Sequence, residues 1–193
     1  FEHVGEGGGE TVDPSVFDVT GQDAIVDWVF VELRDADQVE NVIATRSALL
    51  QRDGDIKDLD GTSFLGFQIA PAGNYYIAVR HRNHLGVMTN FAFGLSPITE
   101  TFDFKDPLTK TYGANAQKLF GTSRTAMWCG DVNSNGSVIY QGPDNDVLTM
   151  FLTVLSDPGN TENLANYVSD GYYTTDINLD GRTIYQGPAN DRN

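Results

Sequence analysis

Oxygen-bearing side chains recur at alternate positions in two places along the chain. Asp131, Asn133 and Asn135 are followed by Gly136; Asp176, Asn178 and Asp180 are followed by Gly181. Oxygens at loop positions one, three and five can turn inward about one point, and glycine at position six permits the sharp turn that follows. Position seven then offers its backbone carbonyl, from Ser137 in the first loop and Arg182 in the second. The Arg182 side chain is free to point away, so its charge need not oppose an ion. Six to eight hard oxygen ligands, with no thiolate or imidazole among them, select calcium.

The loops lie inside a longer repeat. Gly130–Asp146 (GDVNSNGSVIYQGPDND) aligns with Thr175–Asp191 (TDINLDGRTIYQGPAND), with ten of seventeen positions identical at an offset of 45 residues. One D-x-N-x-N-G run is also an ordinary turn composition. Two copies with matched flanks point to a metal-binding pair. The residues read as ligands are Asp131, Asn133, Asn135, the Ser137 carbonyl and Asp146, then Asp176, Asn178, Asp180, the Arg182 carbonyl and Asp191. Position twelve, where such loops carry a carboxylate, holds Gly142 and Gly187. Asp146 and Asp191 are the shared acids that can close the loops instead, whereas Asp144 faces Ala189 in the alignment.

These loops resemble those of type I dockerins, which carry two calcium-binding half-EF-hands per module, over roughly the last third of the chain. A wider resemblance rests on ELRDA, ATRSALLQRDGDI, GNYYIAVRHRNHLGVMT and MWCGDVNSNG…IYQGP…D. These runs are similar to a module of large secreted surface proteins of Bacteroidota, a β-sandwich followed by calcium repeats. The resemblance implies export, extracellular calcium, and a structural or adhesive role without enzymatic activity.

The chain has 193 residues, 27 Asp and Glu against 12 Lys and Arg, a net charge of −15, and one cysteine. Such an acidic chain lacks the basic face that a phosphate backbone or an anionic lipid surface needs. No apolar run is long enough to span a bilayer. Neither nucleic acid nor direct membrane insertion is therefore expected. The single Cys129 excludes an intrachain disulfide and a multi-cysteine metal site. The chain begins at Phe1 without a charged and apolar leader, and is read as processed, with any export signal removed.

Residues 1–15 are rich in Gly and Glu, and read as an arm that is either mobile or ordered by a neighbouring copy. Residues 16–106 have β texture: runs 24–34, 41–56, 63–70, 75–82, 91–96 and 99–104, separated by turn signals such as Asp53-Gly54 and Pro71-Ala72-Gly73-Asn74. Tyr75, Ile77 and Val79 fall on one strand face. Residues 107–127 read as a connection with a short helix. Residues 128–193 hold the paired repeats, with a helix after the first loop on Val147, Leu148, Phe151, Leu152 and Leu155, capped by Asp146 and stopped at Asp157-Pro158-Gly159-Asn160. A second short helix is expected over 162–169. The fold expected is mainly β: a prealbumin- or immunoglobulin-like sandwich, followed by a small α-helical dockerin-like calcium-loop domain.

Asp53, Asp55, Asp58 and Asp60 read as a solvated hairpin tip rather than a third cation site. Arg80, His81, Arg82 and His84 form the only basic cluster, read as partners for nearby acids. Cys129 is expected beneath the first loop. Tyr140 and Tyr185 recur with the repeat and suggest packing between the loops. No nucleophile elbow, P-loop or dinucleotide fingerprint appears, so no enzyme is read. The expected role is a calcium-stabilised, secreted structural protein of the bacterial cell surface, a subunit or module of a filament assembled head-to-tail by self-association. The alternative is an adhesive binding module for carbohydrate or a cohesin-like receptor.

Overall fold

A computed structural model describes residues 1–98, 100–109 and 111–192. The chain divides into two units: residues 1–81 with 86–127, and residues 82–85 with 128–193. The fold is mainly β with antiparallel pairing, and it carries one α-helix among the described residues.

In the first unit the β-branched and aromatic runs become strands. β1 (Ile25–Asp35), β2 (Val42–Gln51), β3 (Ile56–Lys57), β4 (Gly73–His81), β5 (His84–Met88) and β6 (Phe93–Leu95) form one sheet in the order β3-β2-β1-β4-β5, with β6 also pairing β4. The two-residue side-chain period sorts the faces. Val29, Val31 and Ala48 join Val79 and Val87 in one buried cluster, and Leu33, Ala44 and Tyr75 form a second. The expected Tyr75–Ile77–Val79 face is the one that packs there.

The opposite face of β1 carries Glu32, buried between two guanidinium groups. Arg34 donates to it from Nε at 2.7 Å, and Arg80 from Nε at 2.5 Å. A buried carboxylate is tolerable when it is paired in this way. His81 pairs with the buried Asp27 at 3.1 Å. Arg80 and His81 of the basic cluster thus find acids, whereas His84 Nδ1 meets the Asn83 side-chain oxygen.

Several expectations differ from the structure. Residues 63–70 make an isolated bridge from Phe64 to Lys57 in place of a strand. Residues 100–104 form no strand, and Thr99 lies outside the described residues. The expected helix in the connection is a hairpin, β7 (Lys118–Phe120) with β8 (Arg124–Ala126). Phe120 and Thr125 there are β formers, and the segment has too few helix-period neighbours to bury a helical face.

The N-terminal arm, expected to be mobile or exchanged, lies along its own sheet. The part of β2 that the two-residue β3 leaves unpaired gives the reason: Thr45 donates its N–H to the Val4 carbonyl at 3.0 Å, and the Val4 N–H reaches Thr45 Oγ1 at 2.8 Å. Phe1 stacks on Phe30, and the Glu6 carboxylate accepts the Gln68 and Ile69 amides. Gly5, at φ +72°, passes so close to β2 that a Cβ would sit 3.0 Å from the Ile43 carbonyl oxygen. Covering a bare edge in this way removes an aggregation template.

The acidic hairpin tip forms no common centre. Asp58 pairs with Arg46 at 2.7 Å, Asp55 lies near Lys57 and Lys105, and Asp60 accepts from Thr62 and Ser63. Those hydrogen bonds hold Asp60 down to about 2.

In the second unit α1 (Asp146–Ser156) follows the first loop, and β9 (Val168–Asp170) pairs with β10 (Arg182–Ile184). The second short helix is absent. Buried Asn160 takes over the local backbone instead: its amide donates to the Val154 and Leu164 carbonyls, and its oxygen accepts the Leu164 N–H. A side chain that satisfies these groups outcompetes a helix start. Cys129 is exposed rather than tucked beneath the loop, with its backbone bridged to His84.

Candidate metal-binding loops

The two loops share the hydrogen bonds that brace positions one, three and five. In the first, Asp131 Oδ1 accepts the Asn135 N–H at 3.0 Å and Oδ2 accepts Gly136 at 3.1 Å. In the second, Asp176 Oδ1 accepts Asp180 at 3.1 Å and Oδ2 accepts Gly181 at 3.1 Å. Asn133 Oδ1 accepts from Asn135, and Asn178 Oδ1 from Asp180. Asn135 Oδ1 accepts from Ser137, and Asp180 Oδ1 from Arg182. This ladder of side chains at positions one, three and five is the reason for the alternating Asp and Asn. The side chains at positions three and five brace the loop two residues further on, and the position-one aspartate braces it four and five residues on.

The backbone repeats as well. Ser134 and Leu179 have φ of 58° and 60°, Gly136 and Gly181 have 80° and 85°, and Gly142 and Gly187 have 125° and 139°. The last pair explains the absence of the position-twelve carboxylate: L side chains rarely adopt that φ, and glycine adopts it without strain.

Asp146 and Asp191 are brought to their loops and close them. Asp146 Oδ1 accepts the Val132 N–H at 3.0 Å and Oδ2 accepts Ile139 at 2.8 Å. Asp191 does the same with Ile177 at 2.9 Å and Ile184 at 2.8 Å. Asp146 therefore does not cap α1, contrary to the sequence expectation. Its carboxylate is turned back onto the loop, and Asn145 caps the helix by accepting the Leu148 N–H at 2.8 Å. The helix seam shifts accordingly to Asp146, Met150 and Val154, which are buried, while Leu148 and Leu152 are exposed.

Differences between the repeats fit one structure. Asp144 and Ala189 both contribute a backbone carbonyl, to Asn133 and Asn178 respectively, so no acid is required there. In the second loop Thr175 and Thr183 share a hydroxyl hydrogen bond of 2.8 Å. Their counterparts are Gly130 and Val138, and a Cβ on Gly130 would lie 2.9 Å from a Val138 methyl. The valine fills the space that the missing side chain leaves. Arg182 directs its guanidinium outward to Asp170 at 3.5 Å. Tyr185 packs on Phe151, whereas Tyr140 is 61% exposed and its hydroxyl meets Arg192 Nη2 at 3.0 Å.

The loops collect negative charge in poorly hydrated places. Asp131, Asp146, Asp176 and Asp191 are all buried. Desolvation raises Asp131 above the ordinary carboxylate value, and the Asp146 charge adds to it; burial and the Asp176 charge do the same to Asp191. A cation would relieve that unfavourable charge. The donors also fit the ion, because a carbonyl or carboxylate oxygen has lone pairs beyond the one given to a backbone amide. Among the described residues no three His, Cys, Asp or Glu side chains converge as a ready-made cluster. The oxygen set depends instead on asparagine amides and backbone carbonyls. No family model matches the chain, and neither a curated protein nor a solved structure is significantly similar to it.

Proposed function

We propose that this chain is a calcium-stabilised extracellular structural protein whose C-terminal unit holds one calcium ion in each loop. The observation that carries the reading is the repetition of one brace-and-clasp hydrogen-bond pattern at an offset of 45 residues. Asp131, Asn133, Asn135 and the Ser137 carbonyl would hold the first ion, with Asp146 closing the loop. Asp176, Asn178, Asp180, the Arg182 carbonyl and Asp191 would hold the second. The ion supplies positive charge among buried carboxylates, and its binding is linked to folding of the unit. The extracellular location is part of the proposal and draws on the resemblance of the sequence to secreted calcium-repeat modules.

Within this reading the protein is a subunit or module of a surface fibre. The sandwich and dockerin-like classes suggested by the sequence are part of the proposal. Support for assembly comes from Leu148 and Leu152, one turn apart and exposed on α1 at 48% and 53%. Electron microscopy of the purified chain in millimolar calcium and in excess chelator tests it. Filaments that fray in chelator are expected; dispersed particles in both conditions would contradict the assembly role.

A second reading, an adhesive module for carbohydrate, draws on a cleft of about 320 Å³ in the first unit. Asn90, Thr109, Thr111, Asn115, Gln117 and Thr125 line it with the amides and hydroxyls that sugar hydroxyl groups match. A glycan array signal abolished by Gln117→Ala would favour it.

A further inference from the structure

We infer that Asn83 is a positioning residue that couples the two loops, an inference that rests on the calcium reading above. Asn83 lies in the turn between β4 and β5, in the short segment 82–85 that groups with the loops. It is completely buried. Its carbonyl oxygen accepts the N–H of Gly130, the residue before Asp131, at 2.8 Å. Its side-chain Nδ2 donates to the carbonyl oxygen of Asp176 at 2.6 Å. One residue therefore holds the entrance to position one of both loops. The other end of its amide is fixed as well, since Oδ1 meets His84 Nδ1 at 2.8 Å.

Arg82 adds an asymmetry. Its Nη1 donates to the Tyr173 carbonyl, its guanidinium lies 4.3 Å from the centre of the Tyr172 ring, and Nη2 is 3.4 Å from Asp176 Oδ2. That oxygen also accepts the Gly181 N–H, so the guanidinium sits on the bracing side of the carboxylate. Among the side chains read as ligands, the second loop has three carboxylates, Asp176, Asp180 and Asp191, against Asp131 and Asp146 in the first. Arg82 offsets the additional charge.

The physical consequence is shared ordering. An ion in either loop fixes its position-one backbone, and through Asn83 this fixes the hydrogen bond that the other loop needs. The second ion then has less disorder to remove, which gives positive cooperativity. Breaking the link is costly because a fully buried amide cannot turn to water for another partner.

Isothermal titration of the full chain with calcium chloride is the test, on three proteins. The unaltered chain should take up two ions cooperatively. Asn83→Ala keeps the Gly130 hydrogen bond but removes the one to Asp176. It should separate the two events and weaken the second loop about tenfold, with the first changed much less. Asp180→Ala removes an exposed position-five ligand and touches no buried group. It should nevertheless lower the affinity of the first loop several-fold. An unchanged first-loop affinity in Asp180→Ala, with both ions binding independently in the unaltered chain, would overturn the coupling and leave the calcium reading intact. No uptake by the unaltered chain would overturn the calcium reading itself.

Discussion

Asp146 and Asp191 each gather three backbone amides from the far side of a loop, a task that needs both carboxyl oxygens as acceptors. An amide in place of either carboxylate turns one acceptor into a donor facing an N–H group. Asp146→Asn should therefore destabilise the second unit by about 1–3 kcal/mol, read as a lower midpoint in calcium-free thermal unfolding. An unchanged midpoint would show that the clasp is unimportant. Asp131 and Asp191 are raised above the ordinary value of 3.8 chiefly by burial. A carboxylate with a raised folded pKa holds its proton longer in the folded state than in the unfolded one. In the calcium-free protein its contribution to stability is therefore fully present below 3.8 and is lost as pH rises through the folded value. On the proposed calcium reading, an ion must displace that proton, so the linkage for binding has the opposite sign. Calcium affinity should fall on acidification at a pH above that of an ordinary aspartate. Titrations at a series of pH values check this, and a constant affinity down to pH 4 would contradict it.

At the scale of elements, α1 depends on a residue that the sequence reading passed over. Asn145→Ala removes the cap and should cost about 1 kcal/mol, seen as reduced helical signal and a lower unfolding midpoint. Asp146→Ala should produce a different phenotype, with loss of loop closure ahead of loss of helix start. Asn145 and Asp146 are both good cap residues by type. Only the long-range demand of the loop amides decides which one turns back. The loops themselves were legible because their chemistry is local: alternate oxygens, one glycine, and a second copy for comparison. β1, β2 and β4 were legible for the same reason, through alternating faces and sharp turns. Asn83 carried no such signal. Its hydrogen bond to Asp176 spans 93 residues of sequence and leaves no periodicity to detect. The β7–β8 hairpin was misjudged because a polar segment with few apolar anchors has no strong period of either kind.

For the molecule as a whole, the proposed calcium reading would give the net charge of −15 and the buried carboxylates of the loops one explanation. A chain built to hold divalent cations carries surplus negative charge when the ions are removed, and self-repulsion then works against compactness. On the proposed calcium reading, two ions would contribute four positive charges at the places where charge is least hydrated. No helix among the described residues is long and apolar enough to cross a membrane. The most direct test of the central claim is a count of ions by native mass spectrometry of the intact chain in calcium, beside Asp131→Ala and Asp176→Ala. The account predicts two calcium ions on the unaltered chain and one on each variant. An unaltered chain that carries none, or variants that keep both, would contradict it.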